Sequence, residues 1–277
     1  MTTVVLAALV IAPAFPGADR WQELESIARQ DGWSRMALGE RIARVGRALI
    51  GTPYVGGTLD ISPEIGEVLR PNLAGLDCVT FAEQAWALAV AAEPQGINQK
   101  LFLDELTQIR YRGGHNSGYA SRLHYFSDWM HDHVARGRAA DVVKGSPDAT
   151  PFTRPVGFMT RNAEKYPALA RPGMREAMKE VETTLNGTPR WWWAKPISSR
   201  STQGLESGDI VGFADVRAGL DCAHVGIIWR EGETVRVMHA SSRAMRVILD
   251  DEITGLVNGN RAWSGLLAIR PVAKTNK

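Results

Sequence analysis

Cysteine is scarce in this chain: 277 residues contain two. A disulfide-framed scaffold is therefore excluded, and the core must be held by hydrophobic burial. An excess of one charge is lacking as well, since 32 lysines and arginines meet 30 aspartates and glutamates, a formal net charge of +2. No basic stripe interleaved with aromatics occurs, so nucleic acid is not expected as a partner. No apolar run is long enough to cross a bilayer, and no integral membrane segment is expected. Internal repeats are missing too. What remains is a chain able to bury one large core or two small ones.

The apolar N-terminal run, Val4 to Phe15, is interrupted by Pro13 and followed by Pro16. Ala12-Pro13-Ala14 gives it the small-residue pattern of a signal cleavage site, although a basic leading region is missing. Residues 1–18 are expected to be either a secretory signal peptide or an apolar arm packed on the rest. Export would place the protein in the cell envelope, periplasmic or secreted.

Beyond this run, helical periodicity comes first and strand patterning later. Ser34 is placed to cap a helix reaching about Ile50, with Leu38, Ile42, Val45 and Leu49 on one face. A second run from Cys78, closed by Pro94, carries Cys78, Ala82, Ala85 and Ala89 on one stripe, where small residues permit close packing. Further helices are expected near 101–110, 121–135 and 173–185. The stretch "RGRAADVVKGSPDATPFTRP" reads as an exposed excursion, and "RWWWAKP" as a core or edge strand. From Asp209 onward "DIVGF", "CAHVGIIW", "TVRVMHA", "RVIL" and "LLAIRP" read as strands. Helices followed by antiparallel-looking strands imply an α+β fold.

Both cysteines end a copy of "AGLDC", at Cys78 and Cys222. They differ in setting. Cys78 begins a helix, where free N–H groups and the helix dipole favour an anion, so a lowered thiol pKa is expected there. Cys222 begins a strand. Read as a hairpin with a Glu231-Gly232 turn, "CAHVGIIWREGETVRVMHA" puts His224 directly opposite His239 on one sheet face. Cys78 then serves as nucleophile, His224 as base and His239 as the group that orients it, with the Cys78 backbone N–H as an oxyanion donor. Cys222 then reads as a small buried strand residue. Two alternatives stand beside this: a Cys78–Cys222 disulfide, and a zinc site of Cys78, Cys222, His224 and His239.

"GTPYVGG", "GLDCVTF" and "SGDIVGF…HVGI…MHAS" resemble the NlpC-type papain-like cell-wall cysteine peptidases and amidases. "NLAGLDCVTFAEQAWALA", "IRYRGG", "YASRLHYFSDW", "GFMT" and "GLDCAHVGI…MHASS" resemble the N-acetylmuramoyl-L-alanine amidase-like branch within them. The likeness runs from about Gly51 to Pro271. It implies a papain-like fold over 19–277, with the nucleophile helix packed on an antiparallel sheet and helical insertions at about 100–200. It implies Cys78 as nucleophile, His224 as base and His239 as third member, with Tyr54 and Asp77 lining the substrate cleft and no metal or other cofactor. The implied reaction cuts the amide between N-acetylmuramic acid, including 1,6-anhydro ends, and L-alanine of muropeptides. Alternatives are a γ-D-glutamyl-diamino acid endopeptidase and a non-catalytic wall-binding domain. Cys222 departs from the apolar or β-branched residue expected before "HVGI". In the added segment "YASRLHYFSDWMHDH", Arg122 is placed to meet a substrate carboxylate and Tyr119, His124 and Trp129 to line a sugar pocket. The contrary reading makes these aromatics part of the core.

Overall fold

The computed structural model describes residues 15–59 and 66–273. Residues 1–14, most of the expected signal or arm, lie outside the described residues. Helices α1 (Ala18–Asp31), α2 (Leu38–Ala48), α3 (Cys78–Ala91), α4 (Gln99–Arg110), α5 (Phe126–Ala135), α6 (Met174–Asn186) and α7 (Ile253–Gly259) accompany eight sheet strands. These are β1 (Ala139–Asp141), β2 (Thr150–Pro151), β3 (Trp191–Ala194), β4 (Ile210–Asp215), β5 (Cys222–Glu231), β6 (Thr234–Ser241), β7 (Arg246–Glu252) and β8 (Trp263–Pro271). The sheet runs β2-β3-β8-β4-β5-β6-β7, with β1 also paired to β8, and every pairing is antiparallel. Helices on an antiparallel sheet give a mixed α and β architecture, as the order of patterns implies.

Both sheet faces are covered, which is why β4 is buried at every residue rather than alternating. On one face Ile210, Ala214, Ile227 and Met238 join the helical core of α1 to α5. On the other, Val211, Phe213, Ile228 and Val237 pack with Ile253 and Val257 of α7. Helix α3 is buried on almost all sides, with α2 and α4 as flanks and β5 and β6 as its floor. Its alanines let the backbone approach the sheet.

Two local expectations are corrected. Ser34 caps nothing: it sits in a 3-10 turn, Trp33–Arg35, and α2 starts after the extended Met36 and Ala37. The stretch expected to be an exposed excursion instead contributes β1 and β2, and buries Val143 and Phe152. Sheet pairing and two apolar anchors outweigh its turn-rich composition. Helix α1, which the periodicity does not announce, docks through Trp21, Leu24 and Ala28, with Phe15 packed 5.8 Å from the Trp21 ring.

Candidate active site

Asp77 and Cys78 form the start of α3. The Asp77 carboxylate accepts from Thr80 N (2.8 Å) while the Thr80 hydroxyl accepts from Asp77 N (2.9 Å), a reciprocal capping box. This fixes the first turn and leaves Cys78 at the helix mouth. The turn-rich "GTPYVGG" is tied to the same place: Val55 N donates to Leu76 O (3.0 Å) and Leu76 N to Pro53 O (2.9 Å). Tyr54 therefore stands within electrostatic reach of Cys78 and Asp77; burial first, then these two acids, raises its pKa.

The second "AGLDC" does different work. Asp221 is buried and accepts from Ser127 N (2.7 Å), so it caps the N-terminal turn of α5, and from Cys222 N (2.6 Å). On β5 one residue is extra between the pairs Ala214↔Cys222 and Phe213↔His224, a bulge at Ala223. Cys78 and Cys222 are both free thiols.

His224 and His239 meet, though not as opposite residues. The hairpin closes on Glu231↔Thr234, with Gly232 (φ 60°) first in the turn. The register is displaced by two residues from the expected one, so His239 is a diagonal neighbour of His224. A two-residue displacement keeps both on one face. His224 Nε2 and His239 Nδ1 are hydrogen-bonded at 2.8 Å, and His239 Nε2 bonds Asp250 Oδ2 at 3.1 Å. Asp250 extends the pair to a chain of three and was not among the expected residues. It follows Ile248, the residue opposite His239, by two positions, so strand alternation puts it on the face of His239 as a diagonal neighbour. The His224 ring lies parallel to Trp263 (interplanar 9°) and beside Phe213.

Cys78, Cys222 and His224 line one cavity of about 90 Å³, with Val79, Ala82, Leu123, Phe126, Ala223 and Val225 as walls. Glu83, His124 and Trp129 also reach it. Of the three residues expected to line a sugar pocket, His124 and Trp129 thus face the cavity. Both are bound behind it: His124 Nε2 to Tyr119 O (2.9 Å), and Trp129 Nε1 donating to Ile109 O (3.0 Å). Tyr119 and Arg122 are not among its lining residues. Arg122 is buried, donates to Leu59 O (2.9 Å), lies 3.9 Å from the Glu67 carboxylate and covers the Tyr119 ring at 4.9 Å. An arginine so committed is a structural tie, which corrects the expectation that it waits for a substrate carboxylate.

Electrostatics reverse a second expectation. Burial, then the Asp77 carboxylate, pushes the Cys78 thiol up to about 12. The backbone N–H groups of Val225, Cys78 and Val79 act against this and do not prevail. His224 is held down to about 3 by burial and then by His239. Thiol and imidazole are therefore both neutral at rest. Alkylation of Cys78 by iodoacetamide is accordingly expected to rise about tenfold per pH unit from 6 to 9, tracking the thiolate fraction. Peptide mapping of the alkylated site checks this, and a rate plateau below pH 7 would mean a preformed ion pair.

A family model described as AmiA-like, N-acetylmuramoyl-L-alanine amidase-like, matches residues 44–264. The chain belongs to that family. Cys78, His224, His239 and Asp250 all fall within the matched span of this AmiA-like protein. An N-acetylmuramoyl-L-alanine amidase from Bacteroides uniformis ATCC 8492 superposes with TM-score 0.78 at 29% identity, covering 85% of this chain and 99% of that one. A Bacteroides fragilis protein bearing a provisional xylanase name gives 0.74 at 29% identity, covering 82% and 99%. A Legionella pneumophila protein shares the fold with TM-score 0.66 at 18% identity, covering 92% and 97%. No curated protein sequence matches. Among the described residues no helix is long and apolar enough to cross a membrane.

Proposed function

We propose that this AmiA-like protein is a cysteine amidase with a papain-like arrangement. It hydrolyses the amide joining the lactyl carboxyl of N-acetylmuramic acid, 1,6-anhydro ends included, to L-alanine of muropeptides in the cell envelope. The observation that carries this is the hydrogen-bonded chain His224–His239–Asp250 ending at a cavity that holds Cys78 at a helix start.

The chain sets tautomers. Asp250, whose ionised form is kept by the Asp251 N–H and His239 bonds despite burial, accepts a proton bond from His239 Nε2–H. A neutral His239 then has Nδ1 as acceptor, so His224 must donate from Nε2. That leaves His224 Nδ1 as a bare base. It takes the Cys78 proton as sulfur attacks the carbonyl carbon, and a thiolate exists only as charge passes to the substrate. The N–H groups of Cys78, Val79 and Val225, which already surround the sulfur, stabilise the developing anion. Collapse of the tetrahedral species breaks the C–N bond, and His224 returns its proton to the alanine amine. Water, deprotonated by His224, then hydrolyses the thioester. Tyr54 and Asp77 border the attacking sulfur; Trp129 and His124 wall the acyl side.

Asp250→Ala is expected to lower kcat about tenfold with little change in KM, the scale of one lost hydrogen bond acting through His239. Steady-state kinetics on a muramoyl peptide check this.

A glycosidase reading, suggested by the provisional xylanase name, needs two carboxyl groups flanking the scissile bond. Among the described residues that line the cavity Glu83 is the single carboxyl, and it is tied to Arg110 at 2.8 Å. The endopeptidase alternative differs in the product. Mass spectrometry of a muropeptide digest should show free N-acetylmuramic acid and a peptide beginning with L-alanine. Free L-Ala-D-Glu would make the protein the endopeptidase, and an unchanged digest a wall-binding domain.

A further inference from the structure

A second recess, which shares no lining residue with the cavity of Cys78, has a different chemistry. It encloses about 420 Å³ and is lined by Arg154, Pro155, Arg161, Trp192, Val216, Ala218, Gly219 and Ser264. Two arginines line it and no carboxylate does, among the described residues. Arg154 is held in place, donating from Nη1 to Ser264 Oγ (2.7 Å) and from Nη2 to Arg217 O (3.2 Å), with its guanidinium 5.9 Å from the Trp192 ring. Arg161 donates from Nε to Gly157 O (2.9 Å), which anchors its fork, and its Nη2 lies against Gly219 of the recess lining. Gly219 (φ 84°) is required here: a Cβ on it would stand 1.5 Å from Arg161 Nη2. The glycine of the second "AGLDC" thus makes room for a guanidinium. Nearby Arg217 is already spent on Asp215, bound at 2.9 and 3.0 Å.

Two chain paths link the recess to the cavity of Cys78. Ser264 follows Trp263, whose ring lies parallel to that of His224. Gly219 precedes Cys222 of the catalytic cavity by three residues. The field of Arg154 is felt at Cys222 and Asp215. Arg154 keeps a second N–H on each terminal nitrogen beyond the two bonds that hold it, and with Arg161 and an aromatic wall this suits a carboxylate-bearing peptide.

We propose that the Arg154–Arg161–Trp192 recess is a carboxylate subsite that grips the acidic peptide beyond L-alanine. This rests on the amidase reading, because it assigns the recess to the leaving-group side. The test compares N-acetylmuramoyl-L-alanyl-D-glutamate with the same compound bearing both carboxyls as carboxamides, using the wild-type protein. KM is expected to be about tenfold lower for the acid, the scale of one charge-assisted pair. In the Arg154→Gln/Arg161→Gln variant that preference should collapse toward one, through a rise in KM for the acid rather than a fall in kcat. Equal KM values in the wild type, or a preference that survives the double substitution, would overturn the subsite. If neither compound is cleaved, the amidase reading fails, and the recess is tested by calorimetric titration of free L-alanyl-D-glutamate. Binding abolished by amidation and by the double substitution would uphold the subsite without the amidase. Absent binding, or binding indifferent to both changes, would refute it.

Discussion

Cys78→Ala is expected to lower turnover of muramoyl peptides by at least about 10³-fold, whereas Cys222→Ala keeps most of it. The two thiols share one cavity, and burial raises the pKa of both. The difference lies in what stabilises a negative sulfur once a base takes the proton. Cys78 has the first turn of α3 and the N–H groups of Val225, Cys78 and Val79 around it. Cys222 has Asp221 as its nearest charge, which opposes ionisation, and packs against Gly212 and the second face of the cavity. Release of L-alanyl peptide by each variant, measured beside the wild type, checks the inequality. Comparable losses from both substitutions would point to a shared role such as metal binding.

The second large effect is on stability. Glu83, on α3 below the cavity, and Arg110, on α4, form a salt bridge at 2.8 Å with side chains 3% and 0% exposed. Arg110 also donates to Arg70 O (3.0 Å), while its Nη2 has no partner among the described residues. Burial raises the Glu83 carboxyl, and the Arg110 guanidinium draws it back. Removing the acid leaves a fully buried cation, so Glu83→Ala is expected to cost about 3–5 kcal/mol. A Glu83→Leu/Arg110→Met double substitution should recover most of that loss, because it removes both charges at similar volume. Urea unfolding followed by tryptophan fluorescence checks both. A loss below about 1 kcal/mol for Glu83→Ala would mean water reaches the pair.

Legibility in the sequence follows how local each determinant is. The α3 start could be read because the cap, the cysteine and the small-residue stripe are contiguous. The common face of His224 and His239 could be read because alternation has period two and the two-residue shift in register leaves it intact. The turn differs: Gly232 takes the first turn position with positive φ, where a Glu231-Gly232 turn places it second. Asp250 was hidden for a different reason. In "LDDEI" it looks like a solvated acid, and its diagonal place beside His239 follows only from the β6–β7 register, which pairs His239 with Ile248. Arg122 looks like a free cation on an aromatic segment, yet Glu67, far away in sequence, lies against it. The Cys78 thiol defies the helix-start expectation because burial is set by β5 packing across the helix mouth, which no local pattern encodes.

The most direct test is acid-quenched intact mass analysis of the protein during turnover of an N-acetylmuramoyl peptide, with the modified residue mapped by digestion. Catalysis by Cys78 at the sugar–alanine amide predicts an N-acetylmuramoyl thioester on Cys78. A peptide acyl group on Cys78, or an adduct mapped to another residue, would contradict it.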